Sequence, residues 1–501
     1  MMPAPEAVPV PQTASCMKPH PNTPALAVPV LDRSRPRLTL REKVGYSLGD
    51  LASNIYFQTF VVFLPIFYTD VFGLSAAAMG TMLLVTRIFD AVGDPLMGMI
   101  ADRTRTRWGK FRPYIAGFAI PLAVGGVLAF TTPDLGETGK LVYAYVTYML
   151  LVVFYTAVNV PYSALMGVIT PSSVERTEVS TYRFVAAFIG QFIIGATALT
   201  LVDRLGGGNE RLGWPYTMAV YGVLVAGLLL TTFFLTRERV QPTPAQQGRI
   251  GEDLKDLLRN RPWVLIGVAT VFQLTYIVMR GSATPYYFRY FVQDQQLTLF
   301  GLTLDLNYTV FTSSFVTVGT VSTLIGAICT GLFTKRWDNK SIYSGFLIAS
   351  ALLSVLFFPL APENVLLIYG LNVLLSFFFG SVSVLQWAIY TDTADYGAWK
   401  FGRRATGLIM AASLFMLKLG LTFGGALVGW ILGLHGFEAG TAQSETALFG
   451  IRLLMSFYPA LFGIAGGLIM LAYPLTGRMM LQIEADLTRR SGEDAPLSST
   501  P

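Results

Sequence analysis

The chain has 501 residues, 53% hydrophobic and only 13% charged, with a mean hydropathy of +0.54. Ordinary soluble domains carry about 25% charged residues, so a water-soluble enzyme or regulator is excluded and an integral membrane protein is expected. The formal net charge of +6 does not point to nucleic acid, because Lys and Arg sit in short segments between apolar runs rather than on one soluble face.

Cys16 and Cys329 lie far apart and the only imidazoles are His20 and His435, so neither a disulfide framework nor a metal cluster is expected. Residues 1–40 are rich in Pro and Ala and lack a continuous apolar core; they are expected to form a disordered cytoplasmic tail rather than a cleaved signal peptide. A spanning helix needs about 20 mostly apolar residues. Twelve such stretches follow, near 44–69, 76–101, 112–132, 141–165, 182–203, 214–236, 263–289, 307–333, 342–361, 364–391, 406–434 and 447–476.

Basic residues set the expected topology. Arg33, Arg35, Arg37, Arg41 and Lys43 precede span 1, Arg103, Arg105, Arg107, Lys110 and Arg112 follow span 2, and further clusters lie at 237–261, 335–340 and 400–404. The alternate loops 70–75, 362–363 and 435–446 carry almost none, so the positive-inside rule places both termini in the cytoplasm. Segment 237–262 divides the spans into halves 41–236 and 263–476, and residues 477–501 form a second cytoplasmic tail. Within the linker, Leu254, Leu257 and Leu258 recur at helical spacing among charges, which predicts a short amphipathic surface helix. Gly98-x-x-x-Asp102-Arg103 after span 2 is echoed by Gly331-x-x-x-Lys335-Arg336 after span 8. The predicted fold class is therefore all-α integral membrane, twelve transmembrane helices in two six-helix halves, as in the major facilitator fold.

Span 2 carries Asp90 and Asp94 in an apolar run. A carboxylate in hydrocarbon costs roughly 2.5–3.5 kcal/mol on insertion scales, so such acids usually face a cavity and carry function. At i and i+4 they stand about 5–6 Å apart on one helix face, and two like charges so close cannot both stay ionised unpaired. A sodium ion, a shared proton, or Arg87 one turn earlier resolves the conflict. The competing reading is a purely structural Arg–Asp network.

The run DAVGDPLMGMIADRTRTRWGKFRPY (90–114) resembles the signature of the glycoside–pentoside–hexuronide:cation symporters, the major facilitator branch that contains the melibiose permease. YTDVFGLS (68–75), NVPYSAL (159–165), LLRNRPW (257–263), MRGSATPYYFRY (279–290) and TDTADYGAWKFGRRATG (391–407) continue the resemblance in order through both halves. It implies that Asp90 and Asp94 hold the coupling cation, Na+ or H+, with no other cofactor. It also implies that Tyr155, Arg183 and Lys418 match sugar-pocket positions. Asn159 stands where the melibiose permease has a third carboxylate, and Thr156 offers a hydroxyl on the same face, so proton coupling is as open as sodium coupling. Ser53-Asn54, Ser163 and Ser383 replace a Lys-Asp pair and two Trp of that pattern; Asn54 and Trp387 are the substitutes expected in the pocket, and melibiose itself is not assumed.

Arg280, inside span 7, is expected either to meet an anionic substrate or to pair with an acid such as Asp50. Tyr286, Tyr287, Phe288, Tyr290 and Phe291 beyond it predict an interfacial aromatic belt. Gating charges are expected at Asp102, Arg103, Arg105 and Arg107, and in the matching cluster Asp392, Asp395, Lys400, Arg403 and Arg404, where setting topology or touching anionic lipid competes with gating. The function read from these residues is cation-coupled import of a sugar or glycoside by a monomer in the cell inner membrane, with membrane lipids around it and no nucleic-acid partner. Transport of a lysophospholipid-like amphiphile is the alternative within the class. A membrane enzyme acting on lipid-linked sugars would need a P-loop, HExxH or paired Asp-rich loop, and a channel would need a pore-loop repeat; neither is present in the sequence.

Overall fold

The computed structural model describes residues 38–170, 172–239, 250–299, 302–401 and 406–493. The expected tail up to residue 37, Arg403 and Arg404 lie outside the described residues. The first span opens at α1 (Leu40–Val62), where the Thr39 hydroxyl and the Glu42 carboxylate form a capping box. It turns by 51° into α2 (Leu64–Ile66) and a π-helical turn, Phe67–Val71. Pro65 causes the break, because it has no N–H for the carbonyl of Val61. That carbonyl instead accepts the Ser282 hydroxyl at 2.6 Å from the other half of the molecule.

The first half is completed by α3 (Ala76–Arg103), α4 (Arg112–Ala129), α5 (Glu137–Ile169), α6 (Ser173–Gly206) and α7 (Glu210–Leu235). A short linker helix, α8 (Ile250–Arg259), is present where amphipathic spacing predicts one, and its Leu257 is buried against Trp263, Ala394 and Ile409. The second half runs through α9 (Arg261–Tyr286) with a π-helical extension Tyr287–Val292, α10 (Tyr308–Phe333), α11 (Asn339–Val355), α12 (Val365–Phe401), α13 (Thr406–Leu434) and α14 (Glu445–Met455), which breaks at Ser456 into α15 (Phe457–Leu471). A last helix, α16 (Gly477–Glu493), docks on the end of α12 where the Trp399 indole donates to Asp486 at 3.1 Å. Helix starts coincide with short polar residues that accept an orphan N–H: Ser75, Ser172, Asn209, Asn260, Asn307 and Ser444.

The structure departs from the sequence reading in three places. Among the described residues ten helices are long and apolar enough to cross a membrane, or eleven when the bent first pair is one span. The ninth expected span falls short of that test: α11 has 17 regular residues and then tightens into i→i+3 bonds of 3.1–3.2 Å that end on Phe358. The connection between α9 and α10 contains an antiparallel hairpin, β1 (Gln295–Leu299) with β2 (Leu302–Leu306), an exception to the all-α reading. Alternation of Leu with Thr or Asp over 297–299 and 302–306, on either side of Phe300-Gly301, is the period-two pattern that could have disclosed it. Finally, Tyr286, Tyr287, Phe288 and Tyr290 do not form an interfacial belt. They are buried in one core with Phe311, Phe315, Phe357, Ile368 and Leu432, and with Ile66 and Ala76 of the first half, because the end of α9 and its π-helical extension turn them inward onto neighbouring helices.

The two halves meet along α3–α13, α6–α10 and α1–α9. At the end of the bundle that carries the hairpin they approach backbone to backbone. A Cβ built on Gly429 would meet the Ala76 carbonyl at 2.5 Å, and one on Gly80 would meet that of Ala426 at 2.7 Å. Polar bonds seal the same end. The Arg289 guanidinium lies 3.5 Å from Asp70 and 3.0 Å from Glu210, the Tyr308 hydroxyl donates to Glu210 at 2.5 Å, Tyr290 donates to Asp70, and the Thr69 and Tyr286 hydroxyls are 2.8 Å apart. Asp70 and Glu210 belong to the first half, Arg289, Tyr290 and Tyr308 to the second. In a background lacking Cys16 and Cys329, Gly429→Leu should therefore separate α3 from α13 and raise the reaction rate of Thr81→Cys with a polar thiol reagent several-fold, measured by mass shift against the Gly429 parent.

Candidate functional site

Asp90 and Asp94 project from one face of α3 toward α5 and α13, and the structure brings four charges together there. The Lys418 ammonium of α13 bonds to Asp94 and lies 3.2 Å from Asp90. The Arg87 guanidinium is 3.4 Å from Asp90. Thr156 of α5 reaches both acids, its hydroxyl 2.8 Å from Asp90 Oδ1 and 3.3 Å from Asp94 Oδ1. One hydroxyl proton serves one of these at a time, so Thr156 couples the two carboxylates. Two acids and two bases leave the cluster formally neutral, which meets the membrane requirement that buried charge be paired. Asp90 is 4% exposed, whereas the side chains of Asp94 and Lys418 are 27% and 28% exposed, so the Asp94–Lys418 side is the one open to exchange.

A second pair lies on α1 and α6. Arg183 donates to both carboxylate oxygens of Asp50, from Nε and from Nη2 at 3.4 Å, and its guanidinium stands 5.6 Å from the ring centres of Tyr46 and Tyr162. Those rings stack at 4.7 Å, and each hydroxyl donates to the other residue's carbonyl, at 3.0 and 2.8 Å. Gly49 permits this approach, since a Cβ there would meet the Tyr162 ring at 2.3 Å. One turn along α1, the Asn54 amide accepts from Gln191 of α6 at 3.3 Å. Tyr155 lies between the two clusters: its ring packs edge-on to Phe60 at 6.3 Å, and its hydroxyl is within electrostatic range of Asp50, Asp90, Asp94 and Arg87. Trp387 of α12 presents a ring 37% exposed, edge-on to Tyr390 at 5.8 Å.

A sequence match to the family described as MFS/sugar transport protein extends over residues 45–477. The chain belongs to this family of membrane transporters. It is 38% identical over 469 residues to the putative glycoside/cation symporter YagG of Escherichia coli, covering 93% of this chain and 99% of the relative. It is 35% identical over 462 residues to the isoprimeverose transporter of Lactiplantibacillus pentosus, covering 91% and 93%. Among solved structures it resembles the nucleoside transporter NupG at a TM-score of 0.59 and 13% identity, over 87% of this chain and all of that one, a likeness of fold alone. The resemblance to the glycoside–pentoside–hexuronide:cation symporters carried by the sequence motifs agrees with these matches.

The geometry corrects several residue expectations for this transporter. Lys418, expected at a sugar-pocket position, bonds to Asp94 and lies 3.2 Å from Asp90, so that position adjoins the acid cluster. Arg280 does not pair with Asp50, which is held by Arg183; it is buried in the second half, donating to the Met455 carbonyl at 3.4 Å beneath the Phe357 ring, and so is removed from the candidate substrate site. Asn159 forms no hydrogen bond to Asp90 or Asp94 among the described residues; one turn from Thr156, it is only half-buried. Arg103, Arg105 and Arg107 are exposed and form no ion pair among the described residues, and Arg107 lies over the Trp108 ring at 4.7 Å. The side chain of Asp102 is outside the described set, while Asp392 and Asp395 are both engaged. Sequence reading missed Gln191 and the Asp50–Arg183 pairing. Gln191 stands two turns beyond Arg183 on α6, a spacing that was visible, but its partner on α1 was not.

If Lys418 neutralises the acids, a double-mutant cycle between Lys418→Met and Asp94→Asn should give a coupling energy of about 1–3 kcal/mol in thermal or denaturant unfolding of the purified protein. The same cycle between Lys418→Met and Asp50→Asn should give under about 0.5 kcal/mol.

Proposed function

We propose that this protein is a symporter that imports a sugar or glycoside with a coupling cation, sodium or a proton, bound at Asp90 and Asp94 with Thr156. The observation that carries this reading is the Lys418 ammonium seated between the two acids. An entering cation can neutralise the carboxylates only as Lys418 withdraws, and the released ammonium then has three donors for a sugar hydroxyl. Ion and sugar thereby favour the same arrangement, a reciprocal coupling typically worth about 1–3 kcal/mol. Tyr155 between the clusters, with Arg183, Asn54 and Gln191 on α1 and α6 and the exposed Trp387 ring on α12, supplies the donors and the apolar ring faces that a sugar requires. The names of the relatives support the substrate class.

By the distribution of basic residues the hairpin end faces outward, so the Asp70–Arg289–Glu210 seal corresponds to a carrier closed toward the outside. Na+ favours several oxygen ligands. Asp90, Asp94 and Thr156 provide them once Lys418 leaves, whereas a proton needs only the more exposed Asp94. The protein is assigned to the cell inner membrane as a monomer, with lipid at its exposed apolar faces.

Uptake of a labelled glycoside panel into proteoliposomes, under a sodium or a proton gradient imposed separately, tests the reading. One sugar is expected to accumulate with one of the two gradients, and Asp90→Asn or Asp94→Asn is expected to abolish accumulation; full accumulation by either variant removes that acid from the cation site. Arg183→Lys should raise the sugar KM by about tenfold with a smaller change in kcat, since a point charge replaces the planar fork that is held over Tyr46 and Tyr162.

A further inference from the structure

Two guanidiniums lie in the second half without an acid. Arg280 of α9 is 4% exposed and Arg452 of α14 is half-buried, yet neither forms an ion pair among the described residues. Each is anchored instead on one backbone carbonyl that its own helix cannot satisfy. Pro459 has no N–H for the carbonyl of Met455, and the Arg280 Nε donates there at 3.4 Å. The carbonyl of Phe358 is orphaned at the end of the tightened turns after α11, and Arg452 Nη2 donates to it. A carbonyl carries only a partial charge, and the Tyr276 hydroxyl beside Arg280 and the Phe357, Phe358 and Phe291 rings against the two guanidiniums offset the positive charge only in part.

Three donors around these residues are buried and have no acceptor: Arg280 Nη2, Arg452 Nε and the Tyr287 hydroxyl. They belong to one contiguous group. Arg280 stands 5.1 Å from the Phe357 ring centre, whose ring is 6.5 Å from that of Tyr287. Tyr287 packs at 5.2 Å on Phe291, and Arg452 stands 5.1 Å from the same Phe291 ring. The Tyr287 hydroxyl is within electrostatic range of both guanidiniums. An unpaired charge taken out of water is strongly penalised, and a buried donor left without an acceptor adds to that penalty; a cluster that carries both lacks an anionic acceptor.

We propose that Arg280, Tyr287 and Arg452 form a binding site for a small monatomic anion of the halide class, which ties the hairpin-end portions of α9, the end of α11 and α14 into one rigid unit. Enclosure decides the class. Tyr287 is fully buried and Arg280 nearly so, with Phe357, Phe358 and Phe291 packed around them, so a lipid phosphate or a sugar acid cannot keep its remaining oxygens hydrated there. A monatomic anion needs only the three donors. This site is separate from the acid cluster, which is built from α3, α5 and α13.

The test uses the full-length protein, purified into a chloride-free gluconate buffer at fixed sodium concentration, pH and ionic strength. Sodium chloride or sodium bromide then replaces sodium gluconate, and the melting temperature is followed. A saturable rise on the order of 2–4 °C is expected. Arg280→Gln should lose the response; if that variant does not fold, Tyr287→Phe, which keeps the ring and removes only the hydroxyl, should shift the half-saturating concentration upward by about fivefold or more. Bromide-soaked crystals should show an anomalous peak in contact with the Tyr287 hydroxyl. A melting temperature identical in gluconate and chloride overturns the proposal, as does a halide response unchanged in both variants or a bromide site elsewhere. None of these readings involves sugar or a gradient, so the outcome stands apart from the assignment of transport.

Discussion

The structure depends on one constraint: charge placed in hydrocarbon must be neutralised by other charge, and here part of the neutralisation comes from a different helix. Asp90 and Asp94 share a helix face and repel each other, and the ammonium that resolves this belongs to α13 in the opposite half. The acid pair is therefore also a joint between the halves. A ligand that changes the protonation or coordination of the acids changes the force holding α3 to α13, which is the physical link that alternating access requires.

A second device recurs in the fold. Proline in a spanning helix frees a carbonyl, and the structure uses such carbonyls for tertiary bonds. Val61 above Pro65 receives Ser282 across the interface between the halves, and Met455 above Pro459 receives Arg280 within the second half. Both breaks sit toward the hairpin end, where the glycine pairs and the Asp70–Arg289–Glu210 network bring the halves into contact. Tight backbone approach, satisfied carbonyls and paired charges thus act together at one end, while the acid cluster lies deeper on α3.

Much of this was legible in the residues. Long apolar runs, their Ser and Asn caps, the surface helix α8 and the i, i+4 acids follow from local periodicity and from the cost of burying polar groups, and they needed no partner to be recognised. Thr156 was placed with the acids by helical spacing and the family resemblance, and the structure puts its hydroxyl on both. The hairpin was missed because only the long apolar runs were assigned and the connection between two of them was left unread, although its alternation was present. The buried aromatics of 286–291 were misread because composition cannot distinguish a ring facing lipid from one that a π-turn directs into the core.

The sequence by itself determined that this is a membrane protein of two helical halves, that Asp90 and Asp94 stand one turn apart in an apolar run, and which family it resembles, because each of these rests on spacing within one helix or on a run of adjacent residues. Only the tertiary structure decided which charges meet. Lys418 meets the acids, Asp50 goes to Arg183 and not to Arg280, and Arg280 and Arg452 are left on backbone carbonyls. A charged side chain shows in the sequence that it needs a partner. Which partner it finds is fixed by the packing of helices hundreds of residues apart.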